Sequence, residues 1–80
     1  MNREICYERL NKIFAEVFDN QALTVDDNTV AQDIDGWDSL THMELVAAIE
    51  EEFGIEFEMK ELQELSNVGR LVDVIMRHSA

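Results

Sequence analysis

The stretch that decides the fold is residues 35–57, which read DGWDSLTHMELVAAIEEEFGIEF. Apolar residues recur at helical spacing along one side of it, namely Leu45, Val46, Ile49 and Phe53. Ser39 stands where an N-cap belongs, after the turn 36–38, and Gly54 stands at a typical helix stop. The pattern therefore predicts a helix over 39–53 that packs one face into a core.

Three further helical patterns surround this one. The first covers Arg3–Phe18, and its apolar positions are Ile5, Leu10, Ile13, Phe14, Val17 and Phe18. A short one covers Met59–Leu65. The last follows a cap at Ser66 or Asn67, and its apolar positions are Val68, Leu71, Val72, Ile75 and Met76. Because strand-like stretches are hard to find, we expect an all-α four-helix bundle with three longer helices and a short third one.

Between the first two helices lies a long acidic segment, Asp19–Asp38. It holds six Asp, two Asn and no Lys or Arg. Isolated apolar residues punctuate it, namely Leu23, Val25, Val30 and Ile34. We expect this segment to be a long ordered loop.

The size and charge of the chain restrict what it can do. Its 80 residues suit one small, free-standing domain over 1–80, with little room for a large enclosed active site. Its 18 Asp and Glu against six Lys and Arg give a net charge of -12, which repels nucleic acids and anionic lipid surfaces. Charged partners are therefore expected to be basic.

The single cysteine and the apolar runs indicate a location. Cys6 has no partner for a disulfide within the chain and no metal-binding spacing around it. No apolar run has the length of a signal peptide or a membrane span. We expect a monomer in the cytoplasm, without a metal site.

The helix predicted over 39–53 has a second apolar strip, opposite its core face. Leu40, Met43 and Ala47 follow i, i+3, i+7 spacing. Three carboxylates flank the strip, namely Glu44, Glu50 and Glu51. Such a strip suits a protein-binding surface, although scattered apolar residues on an ordinary solvated face explain it as well. Residues 38–64 hold nine acids and one base, which favours binding to a basic partner.

The stretch 35–57 resembles the phosphopantetheine attachment region of acyl carrier proteins. Asp38-Ser39-Leu40 matches the attachment triplet of that family. The spacing through Glu44-Leu45 and residues 50–53 fits its second helix, and Leu65 to Ile75 resembles its last helix. The resemblance covers most of the chain and is closest to the discrete carriers that serve separate enzymes.

The resemblance implies a covalent cofactor on Ser39. A phosphopantetheinyl transferase, using coenzyme A and a magnesium ion, would move 4'-phosphopantetheine onto the Ser39 oxygen. The chain would then carry thioester-bound acyl groups and catalyse nothing itself. Asp38 would help to dock the transferase. The family's partner-facing positions, which meet basic patches on acyl-loading, elongating or transferring enzymes, fall on Leu40, Met43, Glu44, Ala47, Glu50 and Glu51.

Two residues depart from the commonest pattern of the family. Trp37 replaces the usual small or aliphatic residue, and His42 lies where a Thr is frequent. We interpret Trp37 as a loop-packing residue and His42 as a partly buried, hydrogen-bonded one. The pathway stays open between fatty-acid, polyketide and other specialised acyl synthesis. An aminoacyl or peptidyl carrier is the alternative, although its motif commonly has a second Gly at the position of Trp37.

Two rival functions use the same residues. Ser39 with His42 could form a hydrolytic pair, but so small a domain lacks room for an oriented third group and an oxyanion site. Residues 33–38 with Glu44 resemble a calcium loop, but a loop starting at Asp33 places Asp38 where the motif needs glycine. Both rivals are therefore disfavoured.

The net charge generates a first prediction. Repulsion among the acids destabilises the compact state, and added monovalent salt screens that repulsion. The melting temperature should therefore rise when sodium chloride is added to a low-salt buffer. A melting temperature that does not respond to salt would contradict this.

Overall fold

The structure is a computed structural model that describes residues 2–79. Its helices are α1 (Arg3–Val17), α2 (Ser39–Phe53), α3 (Met59–Leu62) and α4 (Val68–Ser79), and a single 3₁₀ turn covers Ala31–Asp33. No β-strand occurs in the described part of the chain. The predicted all-α architecture, with three longer helices and a short third one, is confirmed.

The helix ends differ from the predictions by a few residues. Phe18 lies outside α1 as its C-cap, and Asn2 caps the other end by accepting a 2.8 Å bond from the Ile5 amide. The third helix ends at Leu62, three residues earlier than predicted. At the start of α4, the Asn67 side chain accepts a 2.8 Å bond from the Arg70 amide. Asn67, and not Ser66, is therefore the cap.

The core is built from one face of each long helix and from anchors in the loops. Its buried hydrophobic residues include Leu10, Phe14, Leu45, Val46, Ile49, Val68, Leu71, Val72, Val74 and Ile75. Ile5, which the sequence pattern grouped with the apolar face of α1, is 44% exposed, and Cys6 is fully buried instead. Burial raises the pKa of the Cys6 thiol.

The segment between α1 and α2 is ordered, as expected, because buried side chains and hydrogen bonds attach it to α1 and to α4. Val25 and Ile34 are buried in the core, and the Val25 amide donates a 2.8 Å bond to the Asn11 side chain on α1. The Val68 amide of α4 donates to the Thr29 carbonyl at 2.8 Å, and the Gly69 amide to the Asp27 carbonyl at 3.1 Å. The loop therefore bridges α1 and α4.

Arginines on α1 join this helix to its neighbours. Arg3 pairs with Asp27 of the loop at 2.6 Å and with Asp73 of α4 at 2.7 Å. The Tyr7 hydroxyl also donates to Asp27, and this bond, followed by the Arg3 bond, lowers the pKa of the Asp27 carboxyl. Arg9 bonds Glu52 at the end of α2 at 2.8 Å.

Within residues 2–79, no helix is long and apolar enough to cross a membrane.

Gly69 provides the test of the loop's contact with α4. A methyl group on Gly69 would lie 2.7 Å from the Asp27 carbonyl oxygen, so the loop would have to shift. Replacing a helical glycine by alanine normally stabilises a protein by about 0.5–1 kcal/mol. We expect Gly69→Ala to destabilise this one by about 1–3 kcal/mol, because of the overpacking. Urea denaturation measures the change, and a gain in stability would show that the contact is not tight.

Candidate functional site

The residue that caps α2 is Asp38, so the prediction that Ser39 is the N-cap is wrong. Asp38 has extended backbone, and its carboxylate accepts a 3.0 Å bond from the Thr41 amide. A carboxylate is favoured at this position because it meets the positive end of the helix dipole. Ser39 is consequently the first residue of the helix and is exposed. None of the hydrogen bonds found within residues 2–79 uses the Ser39 hydroxyl.

The turn before Ser39 is held by a side chain that the sequence reasoning missed. The Thr41 hydroxyl donates to the Gly36 carbonyl at 2.7 Å and accepts from the Asp38 amide at 2.8 Å. Gly36 has a φ of 87°, a conformation that glycine adopts readily and other residues rarely do. The signal for Thr41 was the three-residue spacing of a capping box, here with threonine in the second position.

The charges at this helix end are arranged around the same bonds. The Thr41 amide is the main cause that lowers the pKa of the Asp38 carboxyl, so this carboxyl is ionised at neutral pH. The unpaired amides of the first turn still attract negative groups. An added phosphodiester on Ser39 would therefore meet a favourable helix end and one fixed carboxylate nearby.

Trp37 and His42 form an aromatic cluster beside the site. The indole of Trp37 lies 5.4 Å from the Phe14 ring and 5.8 Å from the Phe18 ring, both on the α1 side. Its Nε1 donates a 3.1 Å bond to Nδ1 of His42, one turn into α2. The interpretation of Trp37 as a packing residue and of His42 as a half-buried, hydrogen-bonded one is confirmed.

The hydrogen bond between Trp37 and His42 argues against a hydrolytic pair of Ser39 and His42. Nδ1 of His42 accepts the indole proton, so this nitrogen is not free to remove a proton from Ser39. Two carboxylates of the calcium-like stretch are likewise engaged as caps, since Asp33 accepts a 3.0 Å bond from the Val30 amide and Asp38 accepts from Thr41. These hydrogen bonds therefore hold the turns that precede α2.

A small apolar cavity lies under the cluster, between α2 and α4. Its volume is about 10 Å³, and its walls are Trp37, His42, Leu45, Val46, Ile49, Leu65, Asn67 and Leu71. A cavity of this size has room for roughly one water molecule. The core under Trp37 and His42 therefore holds little free space.

The outer strip of α2 is exposed, as the pattern indicated. Leu40 is 69% exposed and Met43 is 60% exposed, and Ala47, Glu44 and Glu51 are exposed beside them. Glu50 differs, because it is half-buried and its carboxylate accepts a 2.9 Å bond from the Phe57 amide. Sequence reasoning also missed Met59 of α3, which is 74% exposed. Six of the seven residues predicted to face partners, Asp38 included, are thus exposed, while Glu50 is half-buried and also holds the loop after α2.

Comparison with known proteins gives a consistent result. Residues 8–75 match the family model described as phosphopantetheine attachment site. The acyl carrier protein of Guillardia theta is 38% identical over 82 residues, covering 100% of this chain and 99% of its own. That of Clostridium acetobutylicum is 34% identical over 73 residues, covering 91% and 95%. The solution NMR structure of holo acyl carrier protein from Geobacter metallireducens has a TM-score of 0.86 and 41% identity, covering 91% of this chain and 84% of its own.

Proposed function

The chain belongs to the acyl carrier protein family, and from that premise we propose that Ser39 is the residue to which its phosphopantetheine arm is attached. Proteins of this family are carriers and not enzymes. The observation that carries the proposal is the position of Ser39. It is exposed at the first position of α2, with its hydroxyl left free because Asp38 provides the cap.

The surroundings of Ser39 fit the group chemically. Transfer forms a bond between the Ser39 oxygen and the phosphorus of phosphopantetheine, breaks the bond from that phosphorus to the nucleotide half of coenzyme A, and passes the hydroxyl proton to the transferase. When bound, the arm supplies a thiol that holds acyl groups as thioesters. Asp38 uses its Oδ1 as the cap, and its exposed carboxylate lies next to the serine that the transferase must approach.

Loading of the arm tests the proposal directly. Incubation with coenzyme A, magnesium and a broad-specificity phosphopantetheinyl transferase should add one phosphopantetheine, as measured by intact mass. Ser39→Ala should abolish the gain, whereas Ser66→Ala, a change at another exposed serine, should leave it intact. Loading of the Ser39→Ala variant, or no loading of the folded unmutated chain, would refute the assignment.

The exposed strip of α2 is proposed as the docking surface for partner enzymes. Leu40, Met43 and Ala47 supply a small apolar contact, and exposed Glu44 and Glu51 attract a basic rim, with Glu50 and Asp38 at its border. Charge attraction speeds encounter, while exposed ion pairs add little lasting affinity. Fast binding and fast release suit a carrier that visits the transferase and then acyl-loading, elongating or transferring enzymes in turn.

Charge reversal on this strip tests the docking surface. Glu44→Lys should lower kcat/KM for phosphopantetheine loading on the order of tenfold at low salt, because steering is lost, and the difference should shrink as salt is added. Glu8→Lys makes the same charge change at an exposed site on α1 and serves as the control. Equal effects of the two variants would show that net charge matters and that the strip does not.

The cargo and the setting follow from the same proposal. The acidic docking strip favours an acyl carrier over an aminoacyl or peptidyl carrier, in fatty-acid, polyketide or another specialised acyl synthesis. The relatives from Guillardia and Clostridium are matched over 99% and 95% of their length, which supports one carrier domain over 1–80. A single buried cysteine suits a reducing compartment, and we propose a cytoplasmic monomer.

A further inference from the structure

We propose that Thr41 is a positioning residue for the modification of Ser39. Its hydroxyl fixes the turn that presents Ser39, and so it sets how often the serine oxygen lies in a geometry that can be modified. The inference rests on the proposed attachment at Ser39. Thr41 itself need not touch the transferase or coenzyme A.

The Thr41 hydroxyl makes two short hydrogen bonds, one with the residue before Trp37 and one with the residue after it. The hydroxyl donates a 2.7 Å bond to the Gly36 carbonyl, its shortest contact as a donor. The hydroxyl oxygen also accepts a 2.8 Å bond from the Asp38 amide. Two weaker contacts at 3.2 Å reach the carbonyl and the carboxylate of Asp38. Gly36 is in the left-handed region, so the chain reverses sharply at the point that Thr41 holds.

The cap on the first-turn amides of α2 does not use this hydroxyl, which completes the capping box only at the Asp38 amide. The bond from the backbone amide of Thr41 to the Asp38 carboxylate needs no side chain at residue 41, so we expect it to remain when Thr41 is replaced. Gly36 and Asp38 are exposed, so water can replace the lost partners of their backbone groups. Loss of the hydroxyl should therefore loosen the turn before Ser39 much more than it destabilises the fold.

A second threonine in the chain offers a matched comparison. The Asp26 amide donates a 2.9 Å bond to the Thr29 hydroxyl, with the same three-residue spacing as Asp38 and Thr41. Both threonines are half-buried. Thr29 holds a turn in the loop that contacts α4, and not the turn that leads to Ser39. The same substitution at the two sites therefore separates the loss of a turn bond from the positioning of Ser39.

The experiment measures loading kinetics of four chains: unmutated, Thr41→Val, Thr41→Ser and Thr29→Val. Valine keeps the branched shape and removes the hydroxyl, so Thr41→Val should lower kcat for loading about tenfold by misplacing the reacting oxygen. Its KM should hardly change, because the docking strip is intact. Thr41→Ser keeps both bonds and should stay within about threefold of the unmutated chain, as should Thr29→Val.

Amide hydrogen exchange supplies the structural readout. Exchange of the Asp38 amide should accelerate in Thr41→Val alone, while circular dichroism shows all four chains folded. Equal losses of kcat in Thr41→Val and Thr29→Val, or unchanged loading of Thr41→Val despite faster exchange at Asp38, would overturn the inference about Thr41 only. Failure of the unmutated chain to load would refute the attachment at Ser39 and the inference that rests on it.

Discussion

The bond from the Thr41 amide to the Asp38 carboxylate determines where α2 begins, and the site depends on that boundary. If the helix began one residue later, with Ser39 as cap, the serine hydroxyl would be used to satisfy a backbone amide. With the boundary at Asp38, the hydroxyl is exposed and free while the helix end is still satisfied. One capping choice thus separates a serine used by the backbone from one whose hydroxyl is left for the proposed modification.

The few basic residues explain how a chain of charge -12 folds without losing its acidic surface. Arg3 joins α1 to the loop and to α4, Arg9 joins α1 to α2, and Arg77 pairs with Glu64 beyond α3 at 2.8 Å. These pairs are partly exposed, so each adds little stability by itself. Their placement between elements offsets repulsion there and leaves the acids beside the outer strip of α2 available to the partners proposed above.

The sequence predicted the helices and the core face of α2 because helical periodicity is strong over long segments. The prediction from sequence was wrong where two neighbouring residues could make the same local bond. Ser39 and Asp38 are both good caps, and only the backbone geometry shows that Asp38 is the residue that caps α2. Ile5 and Cys6 both suit an apolar face, and only the packing of α1 against its neighbours shows that the cysteine is the buried one. The partner of Glu50, the Phe57 amide, lies beyond the helix, where periodicity carries no information.

The two faces of α2 have opposite mechanical requirements. The inner face must hold the helix in place, and Leu45 and Ile49 do so in a core whose cavity under Trp37 and His42 is only about 10 Å³. Trp37 extends that packing into the turn before the site, because its ring contacts Phe14 of α1 and its Nε1 donates to His42. In the proposed function the outer face must release its partners, and single exposed apolar side chains between carboxylates suit that requirement. In that proposal, a well-packed inner face under a weakly binding surface would keep the position of Ser39 constant while partners exchange.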